Sequence, residues 1–324
     1  MIIIKVRNGI GNQLFTYALG LYLKMRNPDQ EIEYDVSNLP LYVNGRYTVS
    51  FTDFVNDANL LNPKEVRHYL GKIFYFGRFH SNQGNRFDNL IKKMVDCVRI
   101  PRGFELIKEP DESEKEMETF ADEIFGMTFK NNKTYVFDGF WENTRYIDAV
   151  KSQLKANITF EKVRIKEEYS KFIYKDNIVA VHIRRGDYIR ESFSKNYPRY
   201  FYAYCDERYY DIAINLIKQW IRNPIFVFFS DDPIYVKNKY KTLNNKVVVE
   251  GQRDYEDLYL MTLCKHHIIA NSTFSFWGSY IARQEGITIA PNMHYAYLKN
   301  SNDIWYKKYF VVPGWKYIDV GDRL

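Results

Sequence analysis

Ile178-Val-Ala-Val-His-Ile-Arg-Arg-Gly-Asp-Tyr188 passes directly from apolar residues into a dense group of polar ones. The β-branched start of this stretch is typical of a buried parallel strand. Polar side chains follow at the carboxyl end of that strand, namely His182, Arg184, Arg185 and Asp187. Open α/β sheets bind ligands at the carboxyl ends of their strands, so the stretch predicts an α/β fold with a ligand site at this point.

The two adjacent arginines of this stretch indicate an anionic ligand. A guanidinium presents forked donors that match phosphate or carboxylate, and each charge-assisted bond contributes about 1.5–3 kcal/mol. Gly186 permits a tight turn directly after the arginines. The alternative is a surface turn in which the arginines and Asp187 pair with each other.

The first residues of the chain follow the pattern of a Rossmann-like unit. The expected elements are a strand at Ile2–Val6, a loop at Arg7–Asn12, a helix at Gln13–Met25 and a strand at Glu31–Asp35. Gly9, Gly11 and Asp35 match part of the dinucleotide-binding fingerprint, which raises the alternative of an NAD-binding oxidoreductase. Leu14 stands where that fingerprint has its third glycine.

Two amides stand at the predicted entrance of the first helix. Asn12 and Gln13 lie where amides and backbone donors hold a phosphate or a sugar hydroxyl. Asn12 also fits the simpler interpretation of a helix N-cap.

Two further predicted strands end in polar residues. Ile225–Phe229 leads into Ser230-Asp-Asp-Pro233, which predicts a capped helix start and leaves Asp231 as a candidate ligand contact. Ile268–Ala270 leads into Asn271-Ser-Thr-Phe-Ser-Phe-Trp-Gly278, which opens another helix. Hydroxyls and backbone donors at a helix N-terminus form an anion site. We expect this segment and the arginine stretch to face the same diphosphate.

The composition is that of a globular protein and excludes several classes. The 324 residues are 46% hydrophobic and 27% charged, with a net charge of +6, which does not by itself indicate nucleic acid. Three separated cysteines predict neither a disulfide framework nor a zinc site and favour a reducing cytosol. The sequence has neither a signal-peptide pattern nor an apolar run of about 18 residues, so we expect a cytoplasmic protein.

The length predicts about two domains. The charged segment Glu161–Tyr174 is the candidate connection, which gives an N-terminal domain at 1–165 and a C-terminal one at 166–324. An aromatic tail from Trp305 to Trp315 is expected to fold back on the body. Within the first domain, Trp141 and Glu142 follow a predicted strand and are either ligand contacts or, for Trp141, core. The adjacent His266 and His267 lack a third ligand at metal spacing, so we interpret them as structural.

Five segments together resemble one known family, the α-1,2-fucosyltransferases of glycosyltransferase family 11, which use GDP-fucose. The resemblance rests on Gly9-Ile-Gly-Asn-Gln-Leu-Phe-Thr-Tyr-Ala18, Phe137-Asp-Gly-Phe-Trp141, His182-Ile-Arg-Arg-Gly-Asp-Tyr188, Phe229-Ser-Asp-Asp-Pro233 and Asp257 through Gly278. It covers almost the whole chain in order. One departure is Phe140-Trp-Glu142, where the family pattern often has Tyr-Trp-Gln.

The resemblance implies two Rossmann-like domains that face each other across a cleft, with the acceptor on the N-terminal side and GDP-fucose on the C-terminal side. It implies that Arg184 binds the β-phosphate and that Asn12 approaches the reacting centre. His182 and Asp257 are implied for the guanine. The diphosphate contacts are implied to be Ser272, Thr273 and Phe274, and the further donor contacts Arg185, Asp231 and Ser275.

The same resemblance implies an inverting transfer of L-fucose to the 2-hydroxyl of a terminal galactose. Negative charge grows on the leaving phosphate, where Arg184 stabilises the transition state without a metal cofactor. The acceptor proton goes to Asp187, Glu142, another carboxylate or the leaving phosphate.

The expected partners are GDP-fucose and a galactose-terminated oligosaccharide or lipid-linked glycan, with at most peripheral membrane contact and no nucleic acid. A fucosyltransferase of other linkage, the oxidoreductase and a non-catalytic sugar-binding protein remain as alternatives.

Overall fold

The computed structural model describes residues 1–36, 39, 51–61, 104–109, 122–173, 175–186, 188–189, 205–292 and 311–320. The chain forms two compact units, one from Met1–Trp141 with Tyr146–Gln153 and the other from Glu142–Arg145 with Leu154–Leu324. Each unit contains one parallel sheet, which confirms the α/β class with two Rossmann-like halves. The boundary at 165 and 166 and the cleft between the halves stay predictions.

The sheet of the N-terminal unit has four parallel strands in the order β2-β1-β4-β3. Ile2, Ile3 and Ile4 of the central strand are fully buried, as expected for a strand covered on both faces. The strands are β1 (Ile2–Lys5), β2 (Ile32–Asp35), β3 (Phe104–Lys108) and β4 (Thr134–Asp138). Their carboxyl ends therefore meet at one edge, where Lys5 and Asp138 stand.

The first helix, α1 (Ile10–Arg26), connects β1 to β2. It begins three residues before the predicted start, because Gly9 adopts the extended N-cap conformation and accepts the N–H of Asn12 at 3.0 Å. The interpretation of Asn12 as the N-cap is therefore wrong. A 3-10 turn (Phe51–Asp53), helical residues at 122–126 and the short helices α2 (Thr144–Ala149) and α3 (Lys151–Asn157) follow along the chain.

The sheet of the C-terminal unit has six parallel strands in the order β10-β9-β8-β5-β6-β7. The strands are β5 (Ile178–Ile183), β6 (Ile225–Ser230), β7 (Lys246–Val248), β8 (His266–Ile268), β9 (Thr288–Pro291) and β10 (Lys316–Ile318). The described helices are α4 (Glu167–Ser170), α5 (Glu207–Trp220), α6 (Pro233–Lys239), α7 (Asp254–Leu263) and α8 (Thr273–Tyr280).

Strand β5 lies in the centre of this sheet and separates two apolar layers. Alternate side chains of a strand point to opposite faces. Val179, Val181 and Ile183 belong to the cluster that includes the buried face of α5, while Ile178 and Ala180 belong to the cluster that includes α7. This two-sided burial explains the continuous apolar run, and it fixes the position of the polar residues that follow.

Two predicted segments can be compared with the structure in extent. The described part of the charged connection, residues 161–173, contains the one-turn helix α4. Strand β8 begins at His266 instead of Ile268.

His266 and His267 are buried and bond to backbone groups. His266 Nε2 bonds to Asp176 O and His267 Nε2 to Met261 O, each at 3.0 Å, which confirms their structural role.

The end of the described chain joins the C-terminal sheet. Strand β10 pairs in parallel with β9, and the ring of Trp315 lies 5.4 Å from that of Phe276. Within the described ranges, the helices are too short or too polar to cross a bilayer.

Candidate active site

The arginine stretch and the hydroxyl-rich segment lie side by side at the carboxyl edge of the C-terminal sheet. Strand β5 pairs directly with β8, with Val181 opposite Ile268. Beyond the strand ends, the hydroxyl of Tyr188 donates to the carbonyl of Asn271 at 3.0 Å. The two segments therefore lie next to each other at the sheet edge, and their binding of one diphosphate stays a prediction.

Strand β6 brings two aspartates to the other side of the arginines. It pairs with β5 so that Ser230 is opposite Ile183, and Ser230 Oγ donates to the Ile183 carbonyl at 2.8 Å. Asp232 caps helix α6 by accepting the N–H of Tyr235 at 3.0 Å, which confirms the predicted helix start. Asp231 is thereby free of the capping role and stands beside Arg184.

Arg184 pairs with Asp231 and remains partly exposed. Its Nη1 lies 3.2 Å from Asp231 Oδ2, and its guanidinium carbon lies 5.5 Å from the centre of the Tyr188 ring. The Arg184 side chain is 30% exposed, against 17% for Asp231. A guanidinium at this exposure is accessible to an anion, whose oxygens match its forked donors.

Arg185 is more fully engaged by the protein. Its Nε donates to Asp232 Oδ2 at 3.1 Å, and its guanidinium carbon lies 3.4 Å from the centre of the Tyr235 ring. Its backbone N–H donates to Asp231 Oδ1 at 2.9 Å. These contacts fasten the loop to the end of β6, so the two adjacent arginines have different tasks.

Gly186 allows Asp231 to approach the loop. A Cβ atom at Gly186 would lie 2.7 Å from Asp231 Oδ2, which is closer than real Cβ contacts permit. The carboxylate thus reaches Arg184 only because position 186 has no side chain. The aspartate partners of both arginines come from β6, and the predicted partner Asp187 lies outside the described residues.

His182 lies inside the strand and is uncharged. It is 5% exposed, and burial together with the neighbouring Arg184 lowers its pKa to about 3. Its ring lies 5.2 Å from that of Phe274. Within the part of the chain that the structure describes, its buried Nδ1 has no hydrogen-bond partner. A buried polar atom without a partner is costly, which makes His182 a candidate ligand contact.

The N-terminus of helix α8 supplies backbone donors next to His182. Ser272 is the N-cap, and its side chain makes no capping bond. The N–H groups of the first helical turn have no intrahelical acceptor and form a site for anions. Ser272, Thr273 and Phe274 are partly exposed there. Ser275 is fully buried, and its hydroxyl bonds to the carbonyls of Ala270 and Ser272, so in this geometry it shapes the turn.

Asp257 forms a second polar pair at the start of helix α7. Its Oδ1 accepts from Gln252 Nε2 at 2.8 Å, and burial raises its pKa to about 6 despite that bond. Gln252 Oε1 is buried and has no hydrogen-bond partner among the described residues. No sequence pattern indicated Gln252, because its role depends on a partner in the following helix.

The predicted residues in the first half of the chain are either half-buried or fully buried. Asn12 is half-buried in the first turn of α1. Gln13 is fully buried, donates to the Asn8 carbonyl at 2.9 Å and accepts the N–H of Phe51 at 3.3 Å, so its amide holds the loop. Trp141 is 1% exposed and belongs to the core, whereas Glu142 is half-buried.

Comparison with known sequences assigns the family. The model of glycosyl transferase family 11 matches residues 91–319. The chain belongs to this family. The protein is therefore a glycosyltransferase, and the oxidoreductase alternative is wrong. The structure agrees, because the carboxylate of Asp35 is fully buried and cannot meet a ribose hydroxyl.

Individual relatives share most or part of the chain. An α-1,2-colitosyltransferase of Escherichia coli is 29% identical, with 90% of this chain and 91% of that protein covered. A galactoside α-(1,2)-fucosyltransferase 2 of Pongo pygmaeus is 28% identical over 39% of each chain. A solved structure of POFUT1 in complex with GDP-fucose is 15% identical, covers 89% of this chain and 97% of that one, and has a TM-score of 0.49.

Proposed function

We propose that this family 11 enzyme transfers L-fucose from GDP-β-L-fucose to the 2-hydroxyl of a terminal galactose, with inversion at the anomeric carbon. The observation that supports it best is Arg184, a partly exposed guanidinium at the end of strand β5, because β5 pairs with β8, the strand that leads into the N-terminus of helix α8. Galactoside α-(1,2)-fucosyltransferases among the relatives support the donor and the linkage.

The diphosphate would occupy the edge between Arg184 and Ser272. Arg184 would take the β-phosphate, and the first turn of α8 would donate from the backbone of Thr273 and Phe274. Asp231 would position Arg184, and Arg185 would hold the loop through Asp232. In this assignment Arg185, Asp231 and Ser275 act on the donor through other residues.

The guanine would be recognised by buried polar groups that retain hydrogen-bonding capacity. Guanine donates hydrogens from N1 and N2, and Asp257 offers a carboxylate beside the unpartnered oxygen of Gln252. The neutral His182 would use Nδ1 on the nucleotide, and Phe274 would contact its apolar surface. A site built to satisfy such groups discriminates strongly against a base that leaves them unpaired.

The rate would come from charge stabilisation. Cleavage of the glycosyl–phosphate bond places negative charge on the β-phosphate, where Arg184 and the helix dipole bind the transition state more strongly than the ground state. With these two sources of positive potential in place, we propose that the reaction requires no metal cofactor. Activity that persists in excess chelator would support this, and restoration by a divalent cation would contradict it.

Several groups are candidates for the base that takes the proton of the acceptor hydroxyl. Asp187, Glu142, another carboxylate and the leaving phosphate remain candidates. Asn12 remains the proposed contribution of the N-terminal unit to the reacting centre. Individual amide and alanine variants of these positions, assayed for transfer and for donor hydrolysis, separate a base from a positioning group.

A second donor has specific support. The colitosyltransferase matches this chain over 90% of its length, and colitose is L-fucose without its 3-hydroxyl. The competing proposal is therefore transfer of colitose by the same site. Comparison of kcat/KM for GDP-fucose and GDP-colitose decides between the two donors.

The test of the proposed function is a donor panel. The purified protein is incubated with lactose and, in turn, with GDP-fucose, GDP-colitose, GDP-mannose and UDP-galactose. We expect GDP release coupled to trisaccharide formation with GDP-fucose. Product only with another donor, or no product from any β-galactoside together with no increase in Tm on addition of GDP, would contradict the proposal.

A further inference from the structure

The turn after strand β4 has a strained backbone. Trp141 has a φ of 60°, in the left-handed region that a bulky residue rarely adopts. Its side chain is nonetheless buried, with its ring 5.5 Å from that of Phe137. Strain of this kind persists where the surrounding structure enforces it, and it concentrates at binding sites.

Glu109, which follows strand β3, holds this turn in place. Its Oε2 accepts the backbone N–H of Phe140 at 2.5 Å and that of Trp141 at 3.2 Å. Its own N–H donates to the Asp138 carbonyl at 3.0 Å. A Cβ atom at Gly139 would lie 2.4 Å from Glu109 Cβ, so the carboxylate fits only against a glycine.

The consequence of this arrangement is an aromatic ring presented to solvent on a fixed turn. Phe140 is 40% exposed, although its neighbours Phe137 and Trp141 are buried. Other exposed apolar side chains of this unit, such as Leu106 and Met25, lie on a regular strand and helix with no such fixing contacts, and need no explanation.

A charged side chain lies beside the ring and belongs to an ion-pair network. The guanidinium carbon of Arg7 lies 5.8 Å from the centre of the Phe140 ring. Arg7 also pairs with Asp138, whose other oxygen lies 3.0 Å from Lys5 Nζ. These residues stand at the carboxyl ends of the adjacent strands β1 and β4, the edge at which open α/β sheets bind ligands.

From this geometry we propose that Phe140 is a stacking platform for a sugar ring of the acceptor glycan, with Arg7 as a donor to that sugar's hydroxyls. The inference rests on the proposed function for the identity of the acceptor. A pyranose has an apolar C–H face and a polar rim, and an aromatic surface next to a few fixed polar groups matches both. A lone ring bordered by charges is too small for a protein interface.

The experiment compares Phe140→Ala with Phe140→Tyr and with Leu106→Ala, a control that removes an exposed side chain of the same unit. Initial rates give KM for lactose, and NMR titration of lactose and N-acetyllactosamine gives Kd without turnover. We expect Phe140→Ala to raise both constants about tenfold and to leave the Tm increase by GDP unchanged. We expect Phe140→Tyr and Leu106→Ala to resemble the wild type.

A second variant tests the fixing of the turn without removing the ring. Gly139→Ala should weaken lactose binding in a protein whose GDP response is intact, because it displaces Glu109 from the turn. If the wild type transfers fucose and Phe140→Ala keeps the wild-type KM and Kd, the platform is overturned while the proposed function stands. If the protein binds galactosides through Phe140 but does not use GDP-fucose, the result would contradict the proposed function and leave the platform standing. No galactoside binding by the wild type would overturn the platform.

Discussion

Arg184 Nη1 lies 3.2 Å from Asp231 Oδ2, and the two residues directly follow the adjacent parallel strands β5 and β6. The pair is partly exposed, so its contribution to folding is about 1 kcal/mol or less. Its significance is geometric, because it fixes one edge of a guanidinium that remains accessible. For the proposed function, this relationship favours Arg184 over Arg185 as the residue that binds the donor phosphate.

Replacement of Arg184 by lysine keeps the positive charge but removes the forked N–H donors of the guanidinium. We expect Arg184→Lys to lower kcat about tenfold or more, since a point charge matches the phosphate less well. Steady-state kinetics with GDP-fucose measure this. The control is Arg222→Lys, an exposed arginine just before the amino-terminal end of β6, which should change nothing. Unchanged kinetics for Arg184→Lys would remove Arg184 from the mechanism.

Asp231→Asn tests the positioning role. The amide still accepts the N–H of Arg185 but no longer pairs as an ion with Arg184. We expect kcat to fall several-fold, while the Kd of GDP changes little because a negative charge near the phosphates has also been removed. Asp176→Asn, which breaks the exposed pair with Lys265, is the matched control. Equal kinetic effects of the two variants would refute the positioning role.

Gly186→Ala introduces a methyl group where none fits. The new Cβ would lie 2.7 Å from Asp231 Oδ2, so the carboxylate must leave Arg184. We expect the same fall in kcat as in Asp231→Asn, and no further fall in the double variant. Gly126→Ala is the control, since a Cβ there meets nothing within 4 Å. Additive losses in the double variant would show that Gly186 acts by another route.

Asp257 predicts a pH dependence of nucleotide binding. Burial raises its pKa from 3.8 to about 6, and guanine requires the ionised form as its acceptor. We expect the Kd of GDP to rise about tenfold per pH unit below that value and to be constant above about pH 7. Isothermal titration calorimetry at several pH values measures this, and a Kd that stays constant below pH 6 would contradict the guanine assignment.

The same shift affects stability with a defined sign. Because the folded protein holds this proton more tightly than the unfolded chain, ionisation of Asp257 lowers the free energy of unfolding as the pH rises from 3.8 to about 6. In Asp257→Asn, the free energy of unfolding should therefore fall less over this pH range than in the wild type. Denaturant unfolding of both proteins over this range measures the difference, and parallel pH profiles would contradict it.

The sheet edge that carries the candidate site was predictable from local sequence. The apolar run before His182 predicts a strand that is followed by arginines, and the apolar residues from Ile268 predict a strand that is followed by hydroxyls. Parallel pairing of two such strands places their carboxyl ends side by side. A capped helix start followed from Pro233 in the same way, whereas the structure identifies Asp232 as the cap. The start of α1 was missed, because an extended glycine replaced the side-chain cap that sequence patterns recognise.

The contacts that separate similar residues were not predictable. Arg184 and Arg185 are adjacent and identical, and they differ in the acids that follow β6 and in the aromatic rings that they contact. Glu109 and the turn at Gly139 meet because the strands before them, β3 and β4, are neighbours in the sheet. Gln252 is identified only by its hydrogen bond to the buried Asp257. Each depends on residues brought together by the tertiary fold.

The most direct measurement is the linkage and anomeric form of the product made from GDP-β-L-fucose and lactose. Two-dimensional NMR correlates the anomeric proton of the transferred sugar with the carbon to which it is joined. We predict an α-fucose with a correlation to carbon 2 of galactose. A β-anomer, a correlation to another carbon, or the absence of a fucosylated product would contradict the proposed function.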